Sequence, residues 1–258
     1  MVNLEVQDTS WEKSSKWYKK IVGDSGHYFH QTIIFPKIKQ LINFDNTKSI
    51  LDLACGQGIF ERRVDPSCEY LGIDISKSLI EEAIRKSQNK NHKFLVADVS
   101  KKLPLKENYY DLVTIILALQ NIKNIQGVVN NSYKHLKPGG QFLIVLNHPI
   151  FRIPRQSSWG VDIQNKVQYR RIDRYMSNLE IPISTNPGKF QKSEITWSFH
   201  SPLSKLSQIL FENGFLIEKI EEWVSEKKST GPMAKMEDRA RNEIPMFMAI
   251  LAVKQPIS

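Results

Sequence analysis

Cysteine is scarce in this chain, and long apolar runs are missing from it. Its 258 residues include two cysteines, Cys55 and Cys68, which are too few for a disulfide framework or a paired zinc motif. No stretch approaches the roughly 20 consecutive apolar residues of a membrane-spanning helix. The first twenty residues also lack the apolar segment of a secretion signal. These shortages favour a cytoplasmic protein with no membrane partner and no metal site.

Acidic residues are fewer than basic ones, and the formal net charge at pH 7 is +9. Such an excess could indicate an anionic partner such as nucleic acid. The lysines are scattered along the chain in short runs, however, which is more typical of solvated faces. With 41% hydrophobic residues the chain can bury a full core, and its length suits one α/β domain with an insertion.

Apolar segments of strand length alternate with segments of helical periodicity. The predicted strands are 49–54, 69–75, 92–99, 110–119, 141–147, 216–224 and 246–254, and the predicted helices are 10–22, 27–42, 76–88, 125–136 and 203–215. We expect Pro36 to kink or split the second helix, Ser76 to cap the third, and Ser201 to cap the last, with Pro202 at its first position. Residues 137–140 read as a turn, 148–193 as an irregular polar insertion, and 225–245 as a charged connection. This alternation predicts a parallel sheet whose ligands bind beyond the carboxyl ends of its strands.

The first predicted strand leads into the segment ILDLACGQG, residues 50–58. Glycines directly after a strand let a ligand approach the backbone closely. A dinucleotide site would need a third glycine at the position of Glu61, after Gly56 and Gly58. The preceding acid, Asp52, would repel a pyrophosphate and is better explained by a cationic ligand end.

Two more acids follow the next two predicted strands. Asp74 ends the second strand, where a carboxylate suits the hydroxyls of a ribose, and Asp98 ends the third, where it could accept from an adenine amino group. A cationic end, a ribose and an adenine together describe S-adenosylmethionine.

These motifs together resemble those of the class I S-adenosylmethionine-dependent methyltransferases. The first motif of that family, acid-x-Gly-x-Gly-x-Gly, is matched over 52–58, with Ala54 in place of the first glycine. YDLV (110–113) and HLKPGGQFLIV (135–145) are similar to its fourth-strand and fifth-strand signatures. The resemblance implies S-adenosylmethionine as cofactor. It assigns cofactor binding to Asp52, Ala54, Gly56, Gly58, Asp74, Ile75, Asp98, Val99, Leu117 and Tyr18.

The resemblance also implies an architecture. We expect an α/β fold with a Rossmann-like, seven-stranded, mostly parallel sheet, an antiparallel last strand, helices on both faces and a lid insertion. The expected divisions are an N-terminal helical cap (1–44), the cofactor-binding core (45–147), a substrate lid (148–200) and the C-terminal part of the sheet (201–258).

The family motifs do not locate the acceptor site, which we expect in two variable segments and the N-terminal helices. In 147–160, Arg152 and Arg155 could clamp a carboxylate or phosphate, although solvated loop arginines are an equal alternative. In 194–206, His200 could be a base or a substrate contact, although a histidine at a strand end is more often structural. The further candidates are His148 as a second catalytic histidine, and Trp159, Trp197 and Tyr28 as acceptor contacts.

We hypothesise that the protein methylates a small, anionic metabolite. An RNA or protein methyltransferase is an alternative that the basic charge favours, but there is no appended RNA-binding domain. The segment LALQN (117–121) also stands where amino-group methylation of nucleic acids would show an NPPY-like signature. A third possibility is a regulatory protein that binds the cofactor without catalysis.

Overall fold

The protein is described by a computed structural model over residues 9–184 and 194–255. Its strands are β1 Ser49–Leu53, β2 Glu69–Asp74, β3 His92–Val96, β4 Tyr110–Ile116, β5 Leu136–Asn147, β6 Ser157–Asp162, β7 Val167–Ile172, β8 Leu179–Ser184, β9 Ile195–His200, β10 Phe215–Trp223 and β11 Phe247–Lys254. Its α-helices are α1 Ser15–Val22, α2 Phe35–Leu41, α3 Lys77–Lys86, α4 Ile125–His135, α5 Leu203–Glu212 and α6 Ala234–Glu243.

Seven of these strands form one sheet in the order β10-β11-β5-β4-β1-β2-β3. Strands β1 to β5 pair in parallel, whereas β11 runs antiparallel to both β5 and β10. The predicted mostly parallel sheet with an antiparallel last strand is therefore confirmed. The order reverses beside β1, which places the ends of β1 and β4 at the topological switch point where such sheets bind ligands.

Apolar side chains cover both faces of the sheet. Leu51 and Leu53 pack into a cluster with residues of α4 and α5. Ile50, which points the other way in the same strand, packs with residues of α1 and α2. Because both faces are covered, all five residues of β1 are buried, and the strand is mainly apolar. Helices therefore lie on both faces, as predicted.

The N-terminal helices are shorter than the sequence indicates. The first begins only at Ser15. The second is divided into a π-helical turn, His30–Ile34, and the α-helix α2, with Pro36 at the start of α2. Proline has no N–H for an i to i−4 hydrogen bond, so the wide turn precedes it and the predicted split occurs there.

The prediction of an irregular segment over 148–193 is wrong where β6, β7 and β8 lie. Strands β6 and β7 form one antiparallel hairpin, and β8 and β9 form another that reaches to His200. In β7, exposure alternates without following residue type: Val167 and Tyr169 are exposed, whereas Gln168 and Arg170 are half-buried, so no apolar alternation marks this strand in the sequence. Residues 185–193 of the predicted lid and 1–8 of the predicted cap lie outside the described residues.

Three smaller predictions are also corrected. The expected turn at 137–140 lies within β5 as a bulge, because the pairing with β4 jumps from Leu136 to Gln141. Helix α6 lies within the expected connection 225–245; only its Ala240 is buried, so no apolar period marks it. Pro202 rather than Ser201 precedes the first residue of α5.

Candidate functional site

A pocket of about 930 Å³ lies beyond the carboxyl ends of the central strands. The predicted cofactor residues that line it are Tyr18, Asp52, Ala54, Gly56, Asp74, Ile75, Asp98, Val99 and Leu117. The sheet brings all but Tyr18 together because the carboxyl ends of parallel strands meet at one edge, and Tyr18 comes from α1. Gly58 is the predicted cofactor residue that does not line the pocket.

Asp52 lies at the floor of this pocket and is 2% exposed. Its two carboxylate oxygens accept hydrogen bonds from the Tyr70 hydroxyl at 2.6 Å and the Thr114 hydroxyl at 2.7 Å. Burial raises the pKa of Asp52 to about 7, although both hydrogen bonds oppose the rise. A cationic group of a ligand would compensate this poorly solvated carboxylate.

Asp74 joins the glycine turn to the start of α3. One of its oxygens accepts from the backbone N–H of Gly56 at 2.9 Å, and the other accepts from the N–H of Ser76 at 2.8 Å. Burial raises the pKa of Asp74 despite these bonds. A carboxylate oxygen can accept more than one hydrogen bond, so Asp74 can also accept from two neighbouring hydroxyls.

The glycine turn has left-handed backbone conformations at Ala54 (φ 55°), Gly56 (φ 57°) and Gly58 (φ 72°). A Cβ on Gly56 would lie 3.2 Å from the Tyr18 hydroxyl, which covers the turn. A Cβ on Gly58 would lie 3.2 Å from both Ala83 and Phe94. Gly56 thus keeps the pocket open, whereas Gly58 allows the turn to pack closely on α3 and β3.

Asp98 lies on the more open side of the pocket. Its Oδ1 accepts from the backbone N–H of Ser100 at 2.9 Å and from the Ser100 hydroxyl at 2.7 Å. Partial burial acts against ionisation, but these bonds and Lys101 hold the pKa of Asp98 below its usual value. Asp98 is therefore a fixed, ionised acceptor near pH 7.

Segment 9–14, which precedes α1, lies over one side of the pocket, and Trp11 forms part of the pocket wall. The Glu12 carboxylate accepts from the Ser76 hydroxyl at 2.6 Å, from the Ser78 N–H at 3.1 Å and from the Ser78 hydroxyl. These bonds lower the pKa of Glu12. No sequence motif identifies Glu12 as a pocket residue, because its serine partners lie more than sixty residues away along the chain.

A smaller cavity of about 100 Å³ lies next to the large pocket. The two share Gln120, Asn121, Asn147 and Ile183 in their walls. Two predicted acceptor-site residues, Arg152 and His200, line the smaller cavity. The Nε2 of His200 donates to the Tyr175 carbonyl oxygen at 2.8 Å. Its Nδ1 then carries the lone pair, and burial lowers the pKa of His200.

His148 lines neither cavity and is fully buried. Its Nε2 lies 2.6 Å from a Glu222 carboxylate oxygen. Its Nδ1 accepts from the backbone N–H groups of Ile150 and Phe151 at 3.3 and 3.5 Å. Both ring nitrogens are thus engaged within the protein. A catalytic role for His148 stays a prediction, and these contacts support a structural one.

The remaining acceptor candidates are Arg155, Tyr28, Trp197 and Trp159. Arg155 is exposed and has φ 59°. Tyr28 is also exposed, with the Lys227 ammonium 4.7 Å from its ring centroid. Trp197 is half-buried in β9, and Trp159 is half-buried in β6. None of the four lines either cavity, and their roles in binding stay predictions.

In residues 9–184 and 194–255, no group of three or more His, Cys, Asp or Glu side chains is arranged to hold a metal ion. No helix there has both the length and the apolar character needed to cross a membrane.

Comparison with known proteins agrees with the chemistry of the large pocket. A family profile described as a methyltransferase domain matches residues 51–144. The demethylmenaquinone methyltransferase of Lactococcus lactis is 32% identical over 117 residues, which cover 42% of this chain and 46% of that protein. The ubiquinone/menaquinone biosynthesis C-methyltransferase UbiE of Stutzerimonas stutzeri is 36% identical over 104 residues, 37% of this chain and 40% of that protein. The chain thus spans less than half the length of these curated relatives.

Solved structures extend the likeness over most of the chain. A Listeria monocytogenes protein assigned to the S-adenosylmethionine-dependent methyltransferases has a TM-score of 0.68 and 26% identity, and the match covers 86% of this chain and 98% of that one. Such a methyltransferase from Mesorhizobium loti has a TM-score of 0.66 and 25% identity, with 85% and 96% covered. The motifs, the strand order and these matches agree, and together they support a class I S-adenosylmethionine-dependent methyltransferase.

Proposed function

We propose that the protein transfers the methyl group of S-adenosylmethionine to a small-molecule acceptor that carries an anionic group. The observation that carries this proposal is the large pocket, whose floor and walls present acids at the ends of three successive strands. The pocket of about 930 Å³ is near the upper end of the usual range for ligand sites. That size supports room for an acceptor beside the cofactor.

The acids fit the parts of the cofactor. Asp52 would hold its ammonium group, Asp74 its ribose hydroxyls and Asp98 its adenine amino group. The bound cofactor supplies an electrophilic methyl group on a positively charged sulfur. The protein's part is to align an acceptor lone pair with that methyl group where little water is present. Apolar residues at the end of β4 and after it, Ile116, Leu117 and Ile122, help to exclude water.

A small acceptor suits the walls of the pocket better than a nucleic acid or a protein chain. The segment 9–14 covers one side, and Glu180 and Ile183 of the β8–β9 hairpin contribute on another. The curated relatives are named for quinone precursors, so quinone-type acceptors belong in the test. The family match ends at residue 144, however, before the segment after β5 that would contact the acceptor.

The test is to incubate the protein with methyl-labelled S-adenosylmethionine and separate metabolite, RNA and protein fractions of a cell extract. We expect label in the metabolite fraction. An Asp74→Ala variant, which should bind the cofactor roughly tenfold to a hundredfold more weakly, is the control. Label in the RNA or protein fraction would refute the small-acceptor proposal. Cofactor binding without transfer to any fraction would support the non-catalytic alternative.

A further inference from the structure

The smaller cavity contains a cation without a counterion. Arg152 lines this cavity, and its Nε is buried without a hydrogen-bond partner. Within 9–184 and 194–255, no carboxylate forms an ion pair with it. A buried donor that stays unsatisfied is unfavourable. We propose that the smaller cavity is a subsite for a carboxylate of the methyl acceptor, bound by Arg152; this inference rests on the proposed function.

A second arginine lies near Arg152 but is held in place. The guanidinium carbons of Arg152 and Arg170 are 5.6 and 5.1 Å from the ring centroid of Trp159. Arg170 donates to the Phe151 carbonyl oxygen at 2.8 Å and to the Ser157 hydroxyl at 3.0 Å. Arg170 is therefore a positioning residue that adds positive charge, while the Arg152 side chain is free to bind a ligand.

The electrostatics favour an anion at this place. Burial and the nearby Arg170 lower the pKa of Arg152 to about 10. Arg152 therefore remains a cation at pH 7, but it is poorly solvated and close to a like charge. A carboxylate would relieve both effects, and its two oxygens match the guanidinium fork.

Gln120 indicates how the rest of the acceptor would be held. It lines both cavities and so marks the junction between them. Its Nε2 donates to the Leu117 carbonyl oxygen at 2.8 Å, which assigns the amide orientation, and its Oε1 is buried without a partner. That oxygen can accept from an O–H or N–H group of the acceptor. The small volume of the cavity, about 100 Å³, favours a planar carboxylate over a tetrahedral phosphate.

The experiment measures probe binding by calorimetry to the protein saturated with S-adenosylhomocysteine, in which no methyl transfer can occur. The probes are benzoate, its neutral counterpart benzamide, and phenyl phosphate. We expect benzoate to bind at least tenfold more tightly than benzamide or phenyl phosphate. Equal binding of benzoate and benzamide would overturn the subsite, and tighter binding of phenyl phosphate would overturn the carboxylate assignment.

Three variants locate the site. Arg152→Gln should weaken benzoate binding by tenfold or more, and Arg170→Gln by a smaller factor. Arg171→Gln is the matched control, because Arg171 lies beside Arg170 in β7 but is exposed and paired with Asp173 at 2.8 Å. An equal loss in the Arg171 and Arg152 variants would show non-specific charge attraction and overturn the inference.

Binding of S-adenosylhomocysteine and the melting temperature of each variant separate the two proposals. If wild-type protein binds the cofactor product but shows no preference for benzoate, the subsite fails and the proposed function stands. If wild-type protein binds neither S-adenosylmethionine nor its product, the proposed function fails, and the subsite fails with it.

Discussion

We predict that Asp52 makes the affinity for S-adenosylmethionine depend on pH. Its carboxylate is 2% exposed, and its pKa in the cofactor-free chain is about 7. Only the ionised form attracts the cofactor's ammonium group, so binding must displace the proton when the pH is below the pKa. The affinity should therefore rise as the pH increases from 6 toward 7 and above.

The magnitude follows from that pKa. At pH 6 about one Asp52 in ten is ionised, so the cofactor should bind roughly tenfold more weakly than to the fully ionised site. An Asp52→Asn variant cannot ionise. It should bind the cofactor about tenfold to a hundredfold more weakly above pH 7, where a charge-assisted contact is lost, and it should show little change between pH 6 and 7.5.

Calorimetry with S-adenosylmethionine at pH 6.0, 6.5, 7.0 and 7.5 measures this dependence of affinity on pH. The α-amino group of the cofactor itself has a pKa of about 8, so it stays mostly protonated over this range. Asp98→Asn is the control. Asp98 is ionised throughout the range, so its loss should weaken binding but leave the dependence on pH as in the wild type. A wild-type affinity that does not change with pH would refute the reasoning, as would an Asp52→Asn variant with the wild-type slope.

Three further predictions concern the surroundings of the pocket. Glu12→Gln should release S-adenosylhomocysteine several-fold faster in stopped-flow experiments, because the neutral amide holds the serines of α3 less strongly; an unchanged rate would contradict this. Ala54→Gly should change the melting temperature little, since relief of a strained φ, about 1 kcal/mol, offsets the flexibility of glycine, whereas Ala54→Val should lower both melting temperature and cofactor affinity. His148→Gln should lower the melting temperature by a few degrees and spare cofactor binding; lost methyl transfer at an unchanged melting temperature would instead support a catalytic role.

The sheet and the meeting of three acids at one pocket could be predicted because their signals are local. Each central strand is a short apolar run, and Asp52, Asp74 and Asp98 each lie at or just beyond the end of one. Once the strands are parallel, their carboxyl ends must share an edge. No contact between distant residues had to be known to place these three acids together.

The acceptor side could not be predicted in the same way. Sequence spacing suggested Arg155 as the partner of Arg152, but the turn before β6 leaves Arg155 exposed. The arginine that shares Trp159 with Arg152 comes from the paired strand β7, where Arg170 lies opposite Trp159. Gln120 has no distinguishing neighbours in the sequence. These positions depend on strand register, which a polar hairpin specifies weakly.

The floor and the cover of the large pocket are joined by one chain of hydrogen bonds. It runs from the Gly56 N–H through the Asp74 carboxylate to Ser76, and from the Ser76 hydroxyl to Glu12. A ligand that changes the contacts of Asp74 would therefore change how firmly segment 9–14 is held. Coupling between two sites is reciprocal. If the cofactor changes the affinity of segment 9–14 for another molecule, that molecule changes the affinity for the cofactor by the same factor, even if it never enters the pocket.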